Sequence, residues 1–191
     1  MKRRNLILSA LMAIPVVSFA RFNFLKKDKP LITAIKGFVI RADESRFQGE
    51  QKKLGDDQLR CVISCEDSNS GLLIGTTTSK SLAGKGGPPL HLHEHQDEIM
   101  YVASGEFLVQ IGEEVMTVKT GDAAFIPGGT HHTFANPVAN NPGTLISIFQ
   151  PGNKQMEADF KTIAAGNFPK SWENDPTRPA NQTGLNSCSN I

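Results

Sequence analysis

Short strand-like runs fill the middle of the chain, and they constrain its fold more than any other feature of the sequence. Between about residues 31 and 150, each run is ended by Gly, Pro, Asn or Asp, which interrupt strands and form turns. Runs this short and evenly spaced predict an all-β, antiparallel sandwich or barrel. The candidate strands are Ile35–Arg41, Leu59–Ser64, Leu72–Thr78, Leu90–His93, Ile99–Ala103, Glu106–Ile111, Val115–Lys119, Ala123–Ile126, His132–Ala135 and Thr144–Gln150.

The periodicity changes after residue 150. Met156, Phe160 and Ile163 recur at spacings of four and three residues, whereas Glu157 lies off that face. This spacing predicts one short amphipathic helix within 151–166, packed on the outside of the barrel.

A polar tail follows this helix. Pro, Asn, Ser and Thr dominate residues 167–191, and such a composition buries too little apolar surface to order a chain. We therefore expect the tail to be partly disordered, and deletion of the residues after about Asp175 to leave metal binding intact.

The first twenty residues have the pattern of a cleavable export signal. Three basic residues occupy positions 2–4, an uncharged stretch runs from Leu6 to Ala20, and it ends in Ser-Phe-Ala. We expect removal of residues 1–20 and an extracytoplasmic (periplasmic or secreted) protein. The alternatives are a buried N-terminal helix or a retained anchor. The Arg-Arg pair leaves the twin-arginine route open beside the general secretory one.

Charge and cysteine content exclude two classes of protein. Lys plus Arg is 20 and Asp plus Glu is 19, so the formal net charge is +1. This balance does not fit a nucleic-acid binder, which neutralises phosphates with clustered basic residues. Three cysteines are too few for a disulfide scaffold, and Cys61 and Cys65 are too far apart along a strand to be bridged.

Metal-ligand spacing appears in the stretch around His91. On a strand, His91 and His93 project from the same face, about 6.6 Å apart. Glu98 follows after a four-residue gap, which is long enough to turn a corner and begin the neighbouring strand. About thirty residues later, a Pro-Gly-Gly turn precedes His132 and would bring it in from another strand.

Three imidazoles and one carboxylate suit one divalent transition metal, namely Mn, Fe, Co, Ni, Cu or Zn. They do not suit Ca or Mg, which prefer oxygen ligands. With five or six coordination positions, one or two would stay open, as in a reactive site.

The two stretches together resemble the paired motifs of the cupin superfamily. The first is usually Gly, five residues, His-x-His, three or four residues, Glu, six residues, Gly; here His91, His93, Glu98 and Gly105 match. The expected leading glycine falls on Lys85, flanked by two glycines. In the second motif all five positions match, and they are Gly121, Pro127, Gly129, His132 and Asn136.

The resemblance implies a cupin double-stranded β-helix, a jelly-roll-type barrel over residues 31–150, with the short helix at its C-terminal side. It implies His91, His93, Glu98 and His132 as metal ligands. We interpret His95 and His131 as non-ligands, the first because its spacing to Glu98 fits worse. By strand parity, apolar side chains should line the cavity, namely Met100, Val102, Phe107, Val109, Ile111 and Phe134.

Three functions remain open, because one fold hosts many chemistries. The favoured one is a mononuclear metal dioxygenase, similar to the flavonol-cleaving cupins, acting on a small aromatic or oxygenated organic substrate. In it Glu98 would take a proton from a substrate hydroxyl. The alternatives are a non-catalytic small-ligand-binding cupin and a metal-dependent isomerase or lyase. We expect a small-molecule substrate, no nucleic acid, no stable membrane insertion, and a homodimer formed through the open edge of Ile35–Arg41.

Overall fold

A computed structural model describes residues 36–54, 59–79, 87–136 and 142–172, together with residue 175. The predicted export signal and most of the predicted polar tail lie outside these residues. The described strands are β1 (Glu44–Ser45), β2 (Lys52–Lys53), β3 (Leu59–Ile63), β4 (Leu73–Ser79), β5 (Asp97–Ser104), β6 (Glu106–Ile111), β7 (Glu114–Lys119), β8 (Ala123–Ile126), β9 (His132–Ala135) and β10 (Gly143–Gln150). Two helices are described, α1 (Cys65–Ser68) and α2 (Lys154–Ala164), with 3-10 turns at Phe47–Gly49 and Lys170–Trp172.

Two antiparallel sheets form the body of the molecule. The larger has the order β3-β4-β10-β5-β8, the smaller has the order β7-β6-β9, and β1 and β2 form a separate short ladder. This arrangement confirms the predicted all-β, jelly-roll fold with a short helix. In the larger sheet, β10 lies between β4 and β5 and pairs with both. Strands that are far apart in the sequence are therefore neighbours, and the sheet is complete only when β10 is in place.

Alternation along the strands builds the first core between the two sheets. On β5, every second residue is buried, including Met100 and Val102. They pack against Phe107 and Val109 of β6 and Leu145 of β10. The side-chain period of two therefore places one face of each strand inside.

A second core lies where α2, rather than a sheet, covers the larger sheet. Phe47, Leu73 and Phe149 are buried there with two cysteines, and Met156 and Phe160 of α2 pack against them. Asn153 caps the start of this helix, accepting hydrogen bonds from the backbone N–H groups of the second and third following residues at 2.8 and 3.1 Å.

Two free, buried cysteines belong to this second core. Cys61 lies on β3 and Cys65 begins α1, and neither forms a disulfide. Burial raises the pKa of both thiols, that of Cys65 to about 12. Both are therefore inert side chains of the core rather than nucleophiles.

Glu157 corrects the helical pattern read from the sequence. It was placed off the apolar face, yet only 1% of it is exposed. Its carboxylate accepts hydrogen bonds from the backbone N–H of Gln48 at 2.5 Å and of Cys65 at 2.9 Å. The helix is thus fixed to two chain segments about a hundred residues earlier.

Two predicted strands are not formed. Residues 36–41 are not in a ladder: Glu44 accepts from the N–H of Arg41, and the Arg60 guanidinium donates to its carbonyl. This removes the open edge on which the predicted homodimer was based, and the homodimer itself stays a prediction. The segment predicted as Leu90–His93 makes one bridge, between His91 and His132, because Pro88 and Pro89 have no N–H to extend it.

The described helices are too short to cross a lipid bilayer; none in the described ranges is long and apolar enough to do so.

Candidate metal centre

His91 and His132 are placed by one pair of backbone hydrogen bonds. The N–H of His91 donates to the carbonyl of His132 at 3.1 Å, and the N–H of His132 donates back at 2.8 Å. Each ring also bonds through Nδ1 to the carbonyl two residues earlier, that of Pro89 or Thr130, at 2.9 Å. Because a carbonyl only accepts, Nδ1 carries the proton in both rings, and Nε2 is left for a ligand.

The three imidazoles that were predicted to bind a metal lie together. The ring centroids of His91, His93 and His132 are 4.4 to 5.1 Å apart. One nitrogen from each ring lies within 4.8 Å of the others, so the three could hold one metal ion. They come from the extended segment before β5 and from the start of β9.

Glu98 reaches the same place from β5. It is 3% exposed, and Oε2 lies 2.9 Å from Nε2 of His132 and 3.4 Å from Nε2 of His93. Its backbone pairs with Phe149 of β10 and Ile126 of β8, so it shares the inward face of Met100. The structure therefore brings all four predicted ligand residues to one point.

The electrostatics of the four groups suit cation binding. Burial and the two neighbouring imidazoles lower the pKa of His91 to about 4, so this ring is neutral near pH 7. Burial would raise the pKa of Glu98, but His132 and His93 together outweigh burial, through hydrogen bonding and charge, and lower the pKa to about 2. Burial would lower the pKa of His132. The hydrogen bond and negative charge of Glu98 outweigh burial, and the pKa of His132 is raised.

One ring nitrogen in the cluster lacks a hydrogen bond, although Oε2 of Glu98 lies 3.4 Å from it. Nε2 of His93 is buried and makes no hydrogen bond. A buried polar atom left in this way is costly, and a metal ion bound among the four side chains would satisfy it. The donor set, three nitrogens and a carboxylate oxygen, is also the one that transition metals prefer. The residues present therefore fit a transition-metal ion.

The other two histidines lie apart from the cluster. The His95 side chain is 91% exposed, with Glu94 as an exposed neighbour at 3.8 Å. His131 is exposed, and its carbonyl accepts from Gly112 at 2.7 Å. Their positions agree with the interpretation of both as non-ligands.

Two residues that hold the site were not identified from the sequence in these roles. Asp97 accepts from the N–H of Gly128 at 2.9 Å and so fixes the Pro-Gly-Gly turn before His132. Gly87 lies against β9, where a Cβ would stand 2.3 Å from the carbonyl oxygen of Phe134. The glycines before Pro88 were the available sequence signal, but they did not show which one would lie against β9.

A cavity of about 1160 Å³ opens from the cluster. Three of the six predicted lining residues border it, namely Met100, Phe107 and Phe134. Val102 and Val109 are instead fully packed in the first core, and Ile111 packs against it. The far wall was missed: it is formed by α2 and the segment that ends at Trp172.

Comparison with protein families identifies the central part of the chain. The model for the cupin domain matches residues 80–149. That range contains the four clustered side chains.

Curated relatives match the same kind of short region. Identity is 47% over 53 residues to the oxidoreductase iacF of Pestalotiopsis fici, covering 27% of this chain and 26% of that protein. It is 40% over 69 residues to a mannose-1-phosphate guanylyltransferase of Salmonella muenchen, covering 36% and 14%. The chain thus spans about a quarter or less of the length of these relatives.

Among solved structures, KdgF from a Halomonas species is similar at 23% identity and a TM-score of 0.48. The alignment covers 63% of this chain and 99% of that one. A cupin described as RmlC-like, from Shewanella frigidimarina, has 19% identity and a TM-score of 0.43, with 60% and 98% covered.

Proposed function

We propose that this chain, whose residues 80–149 match the cupin domain, is a mononuclear metal dioxygenase acting on a small aromatic or oxygenated organic substrate. The observation that carries the proposal is the convergence of three imidazoles and Glu98 beside a cavity of about 1160 Å³. The Pestalotiopsis relative is named an oxidoreductase, which supports the reaction class.

His91, His93, Glu98 and His132 would hold one divalent transition metal, Fe, Mn, Ni, Co, Cu or Zn. When bound, such an ion would supply Lewis-acid chemistry at its open positions, and each candidate except Zn, which is redox-inert, would also supply one-electron chemistry. The protein contributes orientation, since two of the rings are fixed by carbonyl partners at 2.9 Å.

Glu98 is the group we assign to proton transfer. Its carboxylate stays ionised because the neighbouring imidazoles lower its pKa, so it can accept a proton. Oε2 lies 2.9 Å from Nε2 of His132, so the carboxylate is held beside the ring cluster. A substrate hydroxyl entering the cavity would meet this oxygen beside the metal.

Apolar side chains lie beside this point. Met100 and Phe107 are 2% and 1% exposed and border the inner cavity. A substrate that displaces water from this apolar surface would strengthen the electrostatic interactions beside it.

Dioxygen consumption by metal-loaded protein tests the proposal. Protein reconstituted separately with each candidate metal would be mixed with hydroxylated aromatic compounds and followed with an oxygen electrode. We expect uptake stoichiometric with substrate loss, abolished in Glu98→Gln. Tight binding of substrate without oxygen uptake would instead favour the non-catalytic cupin, and product formation without uptake would favour an isomerase or lyase.

We also propose that the protein is exported and loses residues 1–20. The support is the basic start, the uncharged stretch to Ala20 and the Ser-Phe-Ala site. Intact mass measurement of the exported protein should give a chain that begins at Arg21. A mass that retains Met1 or Lys2 would contradict this.

A further inference from the structure

Helix α2 buries a charged side chain completely and its apolar side chains only in part. Met156, Phe160 and Ile163 are only partly buried, whereas Glu157 is 1% exposed. A surface helix normally buries its apolar stripe against the core. Here all three side chains border the cavity. Met156 and Phe160 also pack on the second core, so the apolar stripe lies between that core and the cavity.

Two aromatic rings continue this wall beyond the helix. Phe168 is 48% exposed and its ring centroid lies 6.4 Å from that of Trp172. Both border the same cavity as the histidine cluster. We call the part bordered by Met156, Phe160, Ile163, Phe168 and Trp172 the outer compartment.

The charges around the cavity are one-sided. Its described lining contains the carboxylates Glu94, Glu98, Asp159 and Asp175 and no Lys or Arg. An anionic ligand in the part of the cavity away from the histidines would therefore lose its hydration without meeting a described Lys or Arg side chain. The cavity volume is about 1160 Å³. Pockets for drug-sized ligands are usually about 300–1,000 Å³, so this cavity has room for a molecule larger than a single ring.

We infer that the outer compartment binds the uncharged, apolar part of an extended small molecule whose oxygen-bearing end points to the histidine cluster. The inference names the substrate class of the proposed enzyme and rests on that function only for the oxygen-bearing end. The apolar contacts with α2 and the two outer rings exist without a metal.

A pair of matched probes tests it, 2-naphthol as the uncharged ligand and 2-naphthoate as the anion of similar shape. Affinities would be measured by calorimetry. Because Trp172 is the only tryptophan in the sequence, 5-fluorotryptophan labelling gives one ¹⁹F resonance that reports on the outer compartment. We expect 2-naphthol to shift that resonance saturably and 2-naphthoate to bind at least about tenfold more weakly, since its charge is left unpaired.

Variants locate the binding. Ile163→Lys should weaken 2-naphthol and strengthen 2-naphthoate by at least about tenfold each, because it places a cation in the compartment. Phe168→Lys, at an exposed position, should act in the same direction if Ile163→Lys does not fold. Val39→Lys, at a residue that is 64% exposed and outside the cavity lining, should change neither affinity.

The same titration in His132→Ala separates this inference from the proposed function. We expect 2-naphthol to keep shifting the Trp172 resonance in that variant, even where metal and oxygen uptake are lost. Equal or tighter binding of 2-naphthoate to the unmodified protein, binding of neither probe, or 2-naphthol binding that leaves Trp172 and both lysine variants unaffected would overturn the inference.

Discussion

Two buried glutamates, Glu98 and Glu157, show how the same type of side chain can serve a reactive site in one place and the fold in another. Glu98 is 3% exposed and faces imidazole rings, one of which has a nitrogen with no hydrogen-bond partner. Glu157 is 1% exposed and faces backbone N–H groups at 2.5 and 2.9 Å. The partners of Glu157 cannot change protonation, whereas those of Glu98 can.

The difference explains why only one of them can belong to a reactive site. A carboxylate held by backbone donors has its charge compensated permanently and stabilises the fold. When a carboxylate is held by imidazoles, a metal ion or a proton can replace the imidazoles as the group that balances its charge. Burial by itself is therefore no sign of function; the chemistry of the partners decides.

The largest effect should come from Glu98→Gln. The amide keeps the shape of the side chain but removes the negative charge beside the three rings, so metal affinity should fall about 100-fold. Thermal stability of the metal-free protein should change little. Calorimetric titration with Mn²⁺ or Zn²⁺ measures the affinity, and unchanged affinity would remove Glu98 from the ligand set.

Glu157→Gln should give the reverse pattern. The amide NH₂ must face one of the two backbone donors, so the free energy of unfolding should fall by about 2 kcal/mol. Metal affinity of the folded protein should stay as it is. Urea unfolding followed by circular dichroism provides the measurement, and a stability equal to that of the unmodified chain would contradict the fixing role of this carboxylate.

Metal binding should depend on pH through His132. Glu98 raises the pKa of His132, so the ring is protonated over more of the range near and above its ordinary value of about 6.5. A bound metal must displace that proton, and affinity should weaken about tenfold for each pH unit below the raised pKa. Titration in buffers of different ionisation enthalpy counts the released proton.

Glu98→Gln sharpens this test, because it removes the cause of the raised pKa. The pH range over which affinity weakens should then move down. A pH-independent affinity in the unmodified protein would show that His132 is not a ligand.

The smallest expected effect is on thiol reactivity, and it tests the structural role of Glu157. Burial raises the pKa of Cys61 and Cys65, so in a Cys188→Ser background neither should react quickly with a disulfide reagent until the protein unfolds. In Glu157→Gln, Cys65 should react faster because its N–H loses a partner and α2 loosens locally. Fast labelling of the unmodified core would contradict this.

The sequence predicts the first core and the cluster well, because both depend on short-range rules. Alternation on β5 and β6 places Met100 and Phe107 inside, and spacing places His91, His93 and Glu98 together. The error at Leu90–His93 is minor for the site, since one bridge to His132 still fixes His91.

The second core could not be predicted in this way. It joins Phe47, Leu73 and Phe149 with α2, which are brought together by tertiary packing and share no periodic pattern. Glu157 looks like a solvated helix residue until its partners, Gln48 and Cys65, are known. The outer compartment was missed for the same reason, because only packing shows that α2 stands over a cavity.

Metal content of three purified chains tests the central claim most directly. Elemental analysis would compare the unmodified protein with His132→Ala and with the neighbouring His131→Ala, each checked for folding by circular dichroism. The four-residue site predicts one ion per chain in the unmodified protein and in His131→Ala, and a nearly empty site in folded His132→Ala. An empty site in His131→Ala together with an occupied one in His132→Ala, or no bound metal in the unmodified chain, would contradict it.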